Sequence, residues 1–201
     1  MGSPGAPSGP PFDIPGFTVS GALPPYLGAT PVDPALMSPF ETTLVRIANK
    51  LCRSAERREI FTGLLKYRQE LKKLGFTTGF QWLSGSFMED IETLEKRHPG
   101  DVDVVVFAPR PSGVADDAGM QAFMTKNINL FHPHFVKPVF HCDPYFVDLN
   151  LPPEYVVERS RYWFGLFSHR RVTGLWKGML QVPLAVSQDD VDASKLLGMA
   201  P

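Results

Sequence analysis

Positive charge is missing from the first 40 residues of this 201-residue chain, which hold neither Lys nor Arg. A secretory signal or transit peptide needs a basic region, so the opening segment reads as neither. No apolar run approaches the roughly 20 residues a bilayer demands, and no membrane span is expected. Together these absences make the cytoplasm the expected setting. Cysteine is scarce as well. Cys52 and Cys142 lie far apart without paired spacing, which argues against a disulfide framework or a cysteine-based zinc site and leaves both as small buried hydrophobes. Net charge is nearly absent, at -1 with a pI near 6.5, which weighs against a protein that coats nucleic acid non-specifically. Neither a Gly-x-x-x-x-Gly-Lys phosphate loop nor a Gly-x-Ser-x-Gly nucleophile elbow occurs.

Proline, by contrast, is abundant and uneven. Ten of the 20 prolines fall in residues 1–40, together with six glycines, so a regular helix or central strand is not expected there. Residues 1–40 are read as a Pro/Gly-rich arm and residues 41–201 as one domain, which 43% hydrophobic content allows to bury a core. The arm's Phe12, Ile14, Phe17, Leu23, Tyr26 and Leu27 are too many apolar residues for an inert linker, so part of it is expected against the domain.

Residues 42–74 carry apolar positions at helical spacing, with Ser54 placed to cap a second helix ending at Gly75. The face bearing Arg53, Arg57, Arg58, Lys66, Lys72 and Lys73 is expected to be solvated. A strand at 80–83 runs into Ser84-Gly85-Ser86, and "FMEDIETLEKRH" reads as a short helix with Glu89 in its first turn, preferred as an exposed acid, with approach to the site as the alternative. Pro99-Gly100 then turns the chain into a strand opened by Asp101. A helix over 116–131 capped by Asp116 or Asp117, a strand over 136–151, a helix from Pro153 to about His169, a strand over 175–184 and a terminal helix from Ser187 complete the order. Tyr162, Trp163, Phe164 and Phe167 read as core, and His132, His134 and His141 as loop features rather than zinc ligands. The alternation predicts an α/β (α+β) fold, a mixed β-sheet with flanking helices, its site at strand ends.

Two aspartates open an otherwise apolar strand, "DVDVVVF", one residue apart. Asp101 and Asp103 therefore emerge on one face, where adjacent carboxylates repel unless a cation lies between them. Glycine at the preceding strand end lets the backbone approach a ligand closely, so Gly85 and the Ser86 hydroxyl, with amides of the following helix, are candidates to face an anion such as a triphosphate. Mg2+ (or Mn2+) mediates between phosphate and carboxylate oxygens, and two such ions grip the attacking and leaving oxygens of a phosphoryl transfer.

"SGS" followed by "DVDVVVF" resembles the signature of the nucleotidyltransferase superfamily, which includes DNA polymerase beta, tRNA CCA-adding enzymes, aminoglycoside nucleotidyltransferases and minimal nucleotidyltransferase antitoxins. More narrowly, "GFQWLSGSFMEDIE", "PGDVDVVVF" and "YWFGLFSHRR...WKGMLQVPL" resemble small stand-alone bacterial proteins described as nucleotidyltransferase-like. The resemblance implies a third carboxylate on a later strand. In "VFHCDPYFVDLNL" the preferred residue is Asp143, which opens "PYFV" much as Asp103 opens "VVVF"; Asp148 is the alternative, and the two point to opposite faces of a regular strand. Lys177 is the candidate cation near the triphosphate, with His169, Arg170 and Arg171 as acceptor-side contacts. Arg159 and Arg161 extend this basic stretch, which reads equally as a phosphate-binding surface or a solvated face.

The expected activity is transfer of a nucleoside monophosphate from an NTP to a hydroxyl on RNA, protein or a small molecule. The rival is a non-catalytic interaction protein, such as the neutralising half of a toxin–antitoxin or defence pair that meets its partner through the arm. Hydrolysis at the same metal site is a third expectation.

Overall fold

The computed structural model describes residues 13–199. Helical spacing in the first third of the domain resolves into α1 (Leu44–Leu51) and α2 (Ala55–Lys73). Thr43 and Ser54 each accept an amide of the first turn with a hydroxyl, from Arg46 and Arg57 respectively, satisfying donors that the helix itself leaves unpaired. Gly75, with φ +93°, stops α2 in a conformation that L side chains avoid.

Strands β1 (Phe40–Glu41), β2 (Phe80–Ser84), β3 (Val102–Ala108), β4 (Cys142–Asp148) and β5 (Leu180–Pro183) form, among the described residues, one five-stranded sheet in the order β1-β5-β2-β3-β4. β2 runs antiparallel to β3 and β5, while β1 parallels β5 and β3 parallels β4. The fold is thus a mixed sheet with flanking helices. One edge of the sheet consequently gathers the C-terminal end of β2 and the N-terminal ends of β3, β4 and β5.

The sheet is covered on both sides, which explains the unbroken apolar run in β3. Val104 and Val106 join the larger core with Phe61, Leu64 and Leu71 of α2. Val105 and Phe107 join a smaller core with Phe167, at the end of a later helix (Pro153–Phe167), and Met179. Full burial of each such side chain contributes about 1.5–3 kcal/mol. In that later helix Trp163 and Phe164 pack on the smaller core, whereas Tyr162 is exposed. Cys52 and Cys142 are free and buried.

The remaining helices are α3 (Ile91–Glu95), α4 (Asp117–Lys126), α5 (Ile128–Phe131), α6 (Pro133–Phe140), α7 (Pro153–Phe167, just described) and α8 (Gln188–Leu196). Asp116 caps α4 through the Gly119 amide, and α8 opens with a Ser187–Asp190 capping box. α8 is tied to the rest by its carboxylates. Asp189 accepts the Leu44 and Val45 amides at the start of α1, and Asp190 pairs at 2.6 Å with Arg68, which is buried in α2 and also reaches Gln81.

The arm is partly domain. Ile14 and Leu23 belong to the larger core, Ala22 is buried, and the Tyr26 ring lies 5.7 Å from that of Trp176. Phe12 lies outside the described residues.

Further expectations need correction, and the helix expected over 116–131 is broken at Asn127 into α4 and α5. Residues 136–151 are not one strand: α6 fills 133–140, and a single residue, His141, connects it to β4. Val136, Val139 and the internal Pro138 disfavour a helix, yet Pro133 starts it and the His132 ring caps it, and tertiary packing of Val136 prevails. The helix expected over "FMEDIETLEKRH" is cut short: a three-residue 3-10 turn (Ser86–Met88) precedes the five-residue α3. Arg57 is fully buried rather than solvated. The last strand is shorter than expected, so Lys177 precedes β5 instead of lying on it. Among the described residues no helix is long and apolar enough to cross a membrane.

Candidate functional site

The strand edge described above carries a cleft of about 440 Å3, within the usual range for small-molecule sites. Its floor begins where β2 ends. Gly85 adopts φ +85° and ψ -172°, a region essentially reserved for glycine. A Cβ there would come within 3.1 Å of the Asp103 carboxyl group, so glycine is what allows that carboxylate to lie against the turn.

Asp103 pairs across the sheet with Ser84 on one side and Asp143 on the other. The parallel register of β3 and β4 thus sets two carboxylates side by side, and Asp101 adds a third from just before β3. Oxygens of Asp101, Asp103 and Asp143 lie within 4.8 Å of one another. Burial, with the charges of Asp101 and Asp143, pushes the Asp103 carboxyl from the ordinary 3.8 to about 6. Burial, then the charge and hydrogen bonding of Asp143 and the charge of Asp103, push the neighbouring Tyr145 phenol up to about 12. Asp143 Oδ1 is buried without a hydrogen-bond partner. Asp148 lies at the far end of β4, where Arg110 donates to it at 2.6 Å, and so does not join the group.

Lys137, on the last turn of α6, places its ammonium 2.9 Å from Asp101 Oδ2 and 2.7 Å from Asp143 Oδ2. Burial acts to lower its pKa, but the hydrogen bonds and charges of Asp143 and Asp101 outweigh burial and raise it above the ordinary lysine value.

On the opposite wall Glu89 is 4% exposed. Its carboxylate accepts from Lys177 at 2.7 Å and from Arg170 at 2.6 Å. Lys177 is itself buried, and Arg170 Nη2 has no partner. Beneath them Arg57 donates to the carbonyls of Phe87 and Glu89 and forks onto the Glu92 carboxylate, fixing the segment that follows the glycine turn. Ser86, His169, Arg170 and Arg171 also line the cleft, whereas Arg159 lines a separate groove beside β4 and Arg161 is exposed.

A protein-family model matches residues 15–183, and its description is a family of unknown function, DUF6932. The chain belongs to that family. No curated protein and no solved structure matches it, so the chemistry of this DUF6932 chain has to come from the cleft.

Sequence reasoning missed Lys137 and ranked Glu89 too low. Glu89, expected to be exposed at a helix start, is buried because Arg57 holds its carbonyl and two cations hold its carboxylate. Lys137 was hidden inside the presumed strand; the Pro133 start signal for α6 would have placed it one turn before β4. The anion cradle expected at a helix start is reduced to the amides of a 3-10 turn and the Ser86 hydroxyl, without the dipole of a longer helix.

Proposed function

We propose that this chain is a Mg2+-dependent nucleotidyltransferase that moves a nucleoside monophosphate from an NTP to a hydroxyl, in a cytoplasmic setting. The observation that carries the reading is the meeting of Asp101, Asp103 and Asp143 opposite the Gly85 turn. The donor set suits a hard divalent cation: all three residues offer oxygen, burial and then the charges of its two neighbours raise Asp103, and Asp143 Oδ1 is a buried acceptor without a donor. Mg2+ (or Mn2+) bound there would neutralise charge on the transferred phosphoryl group.

The charge of the cleft makes this dependence stringent. Glu89, Glu95, Asp101, Asp103 and Asp143 line it against Arg97, Lys137, Arg170, Arg171 and Lys177. Formal charges cancel, so a triphosphate gains net attraction only when cations accompany it. Gly85 and Ser86 offer room and a hydroxyl to the leaving phosphates, and the Lys177 ammonium, held by Glu89, stands 3.5 Å from the Gly85 carbonyl oxygen on the same side. The acceptor oxygen attacks the α-phosphorus, the bond from that phosphorus to the pyrophosphate oxygen breaks, and the hydroxyl proton passes to the Asp143 carboxylate. Positioning and charge supply most of the catalysis, as in phosphoryl transfer generally.

Calorimetric titration with each of the four NTPs in Mg2+ tests the reading, alongside an Asp101→Ala, Asp103→Ala double variant. Metal-dependent binding that the variant loses is expected. A folded wild-type chain that binds no NTP refutes it and favours a partner-binding protein, and release of a free monophosphate without an acceptor indicates hydrolysis instead.

A further inference from the structure

We infer that Lys137 is a tethered cation that fills the space between Asp101 and Asp143, beside the carboxylate that receives the acceptor's proton, so that the site takes up one divalent ion rather than two. This rests on the metal-dependent reading above and adds to it a role for a residue that no motif marked.

The position of Lys137 is built, not incidental. α6 packs directly on α2: a Cβ added at Gly63 would meet the Phe140 carbonyl oxygen at 2.1 Å, and the Tyr67 and Phe140 rings stand 5.8 Å apart. Val136 on one side of Lys137 in sequence and Cys142 beyond His141 are fully buried. The His141 amide bonds the Lys137 carbonyl at 3.0 Å, and His141 itself, with φ +51°, makes the one-residue turn into β4. Lys137 and Asp143 are therefore held in a short, braced connection, with the ammonium aimed at the carboxylates.

Its reach decides what else fits. A magnesium ion sits about 2.0–2.1 Å from each oxygen ligand. An ammonium already 2.9 Å from Asp101 Oδ2 and 2.7 Å from Asp143 Oδ2 occupies the space where an ion bound to those two oxygens would sit. Among the described residues Lys137 pairs with Asp101 and Asp143 and not with Asp103. Asp103 and Asp143 Oδ1, the latter on a residue only 8% exposed and lacking any hydrogen-bond partner, remain for a divalent ion. Charge agrees with space: three carboxylates and one ammonium leave two negative charges, which a single divalent ion neutralises.

In the transfer step the ammonium lies beside the carboxylate that receives the acceptor's proton. It supplies fixed positive charge to the oxygen as that oxygen attacks the α-phosphorus and the pyrophosphate departs.

The test is the stoichiometry of Mn2+ binding, read from the electron paramagnetic resonance of free Mn2+ with a non-hydrolysable NTP analogue present. Wild type, Lys137→Met, Lys137→Gln and the Asp101→Ala, Asp103→Ala double variant are compared, each with its fold checked by circular dichroism. One ion per wild-type chain and two per Lys137→Met or Lys137→Gln chain are expected. Two ions on the wild type, or one on both Lys137 variants, overturns the role of Lys137 while leaving the metal site standing. No more Mn2+ on the wild type than on the double variant overturns the metal site and the role of Lys137 with it.

Discussion

Asp103 is held in the folded chain at a stability cost that a single amide can remove. Its carboxyl stands at about 6 against the ordinary 3.8, so the folded chain binds the proton more tightly than the unfolded one. Folding takes up a proton between those two values, and stability contributed by this group falls as pH rises through them. The penalty is absent below the lower value and complete above the higher. Each pH unit between the two values is worth about 1.4 kcal/mol, so the penalty amounts to about 2–3 kcal/mol. Asp103→Asn keeps the shape and removes the charge, so the variant should exceed wild type by that amount at about pH 8 and by almost nothing at about pH 3. For a chain of this size the gain corresponds to roughly 5–10 °C in melting temperature. Thermal unfolding by circular dichroism across that pH range, without divalent ions, measures it. An Asp103→Asn chain less stable than wild type at about pH 8, or a difference that does not shrink on acidification, refutes the account of a carboxyl raised by burial and by its like-charged neighbours.

Other expectations follow from the same geometry. Gly85→Ala should cost about 1–3 kcal/mol in urea denaturation and abolish NTP binding, because the new Cβ strains the backbone and presses on Asp103; an unchanged midpoint would contradict the contact. Glu89→Ala strands buried Lys177 without its partner, and a loss of about 3–5 kcal/mol is expected by chemical denaturation, with Glu89→Gln recovering part of it. Asp190→Ala should cost about the same by stripping Arg68 of its carboxylate, whereas an Arg68→Met, Asp190→Leu pair should come close to wild type because no buried charge is left alone.

The parts of this molecule that were legible in the sequence are those with local signatures. Ser54 and Ser187 announce helix starts because a capping hydroxyl acts within one turn. Asp101 and Asp103 declare a shared face because strand side chains alternate. Asp143 was preferred to Asp148, which stayed open, for its place at the head of an apolar segment, and the register of β3 and β4 sets it beside Asp103. What was not legible depends on distant partners. Nothing near Glu89 reveals that Arg170 and Lys177, 81 and 88 residues away, will surround it, and α2 contributes Arg57 to the same segment from the other direction. α6 was missed for a different reason. Val136, Pro138 and Val139 disfavour a helix locally, and the packing on Gly63 that stabilises it is tertiary.

The antiparallel setting of β2 between β3 and β5 has a consequence at the end of the sheet away from the cleft. Every strand contributing to the carboxylate cluster and its opposing wall does so from one rim, so the other rim is excused from chemistry. There the turn after β3 carries Ser112 and Gly113, both exposed, with open space around the glycine Cα. Backbone of this kind accepts inserted sequence with little disturbance. A reporter domain spliced between those two residues should fold alongside the host and leave metal and nucleotide binding unchanged, which makes that rim the permissive port of the molecule and the place where relatives can diverge in length at least cost.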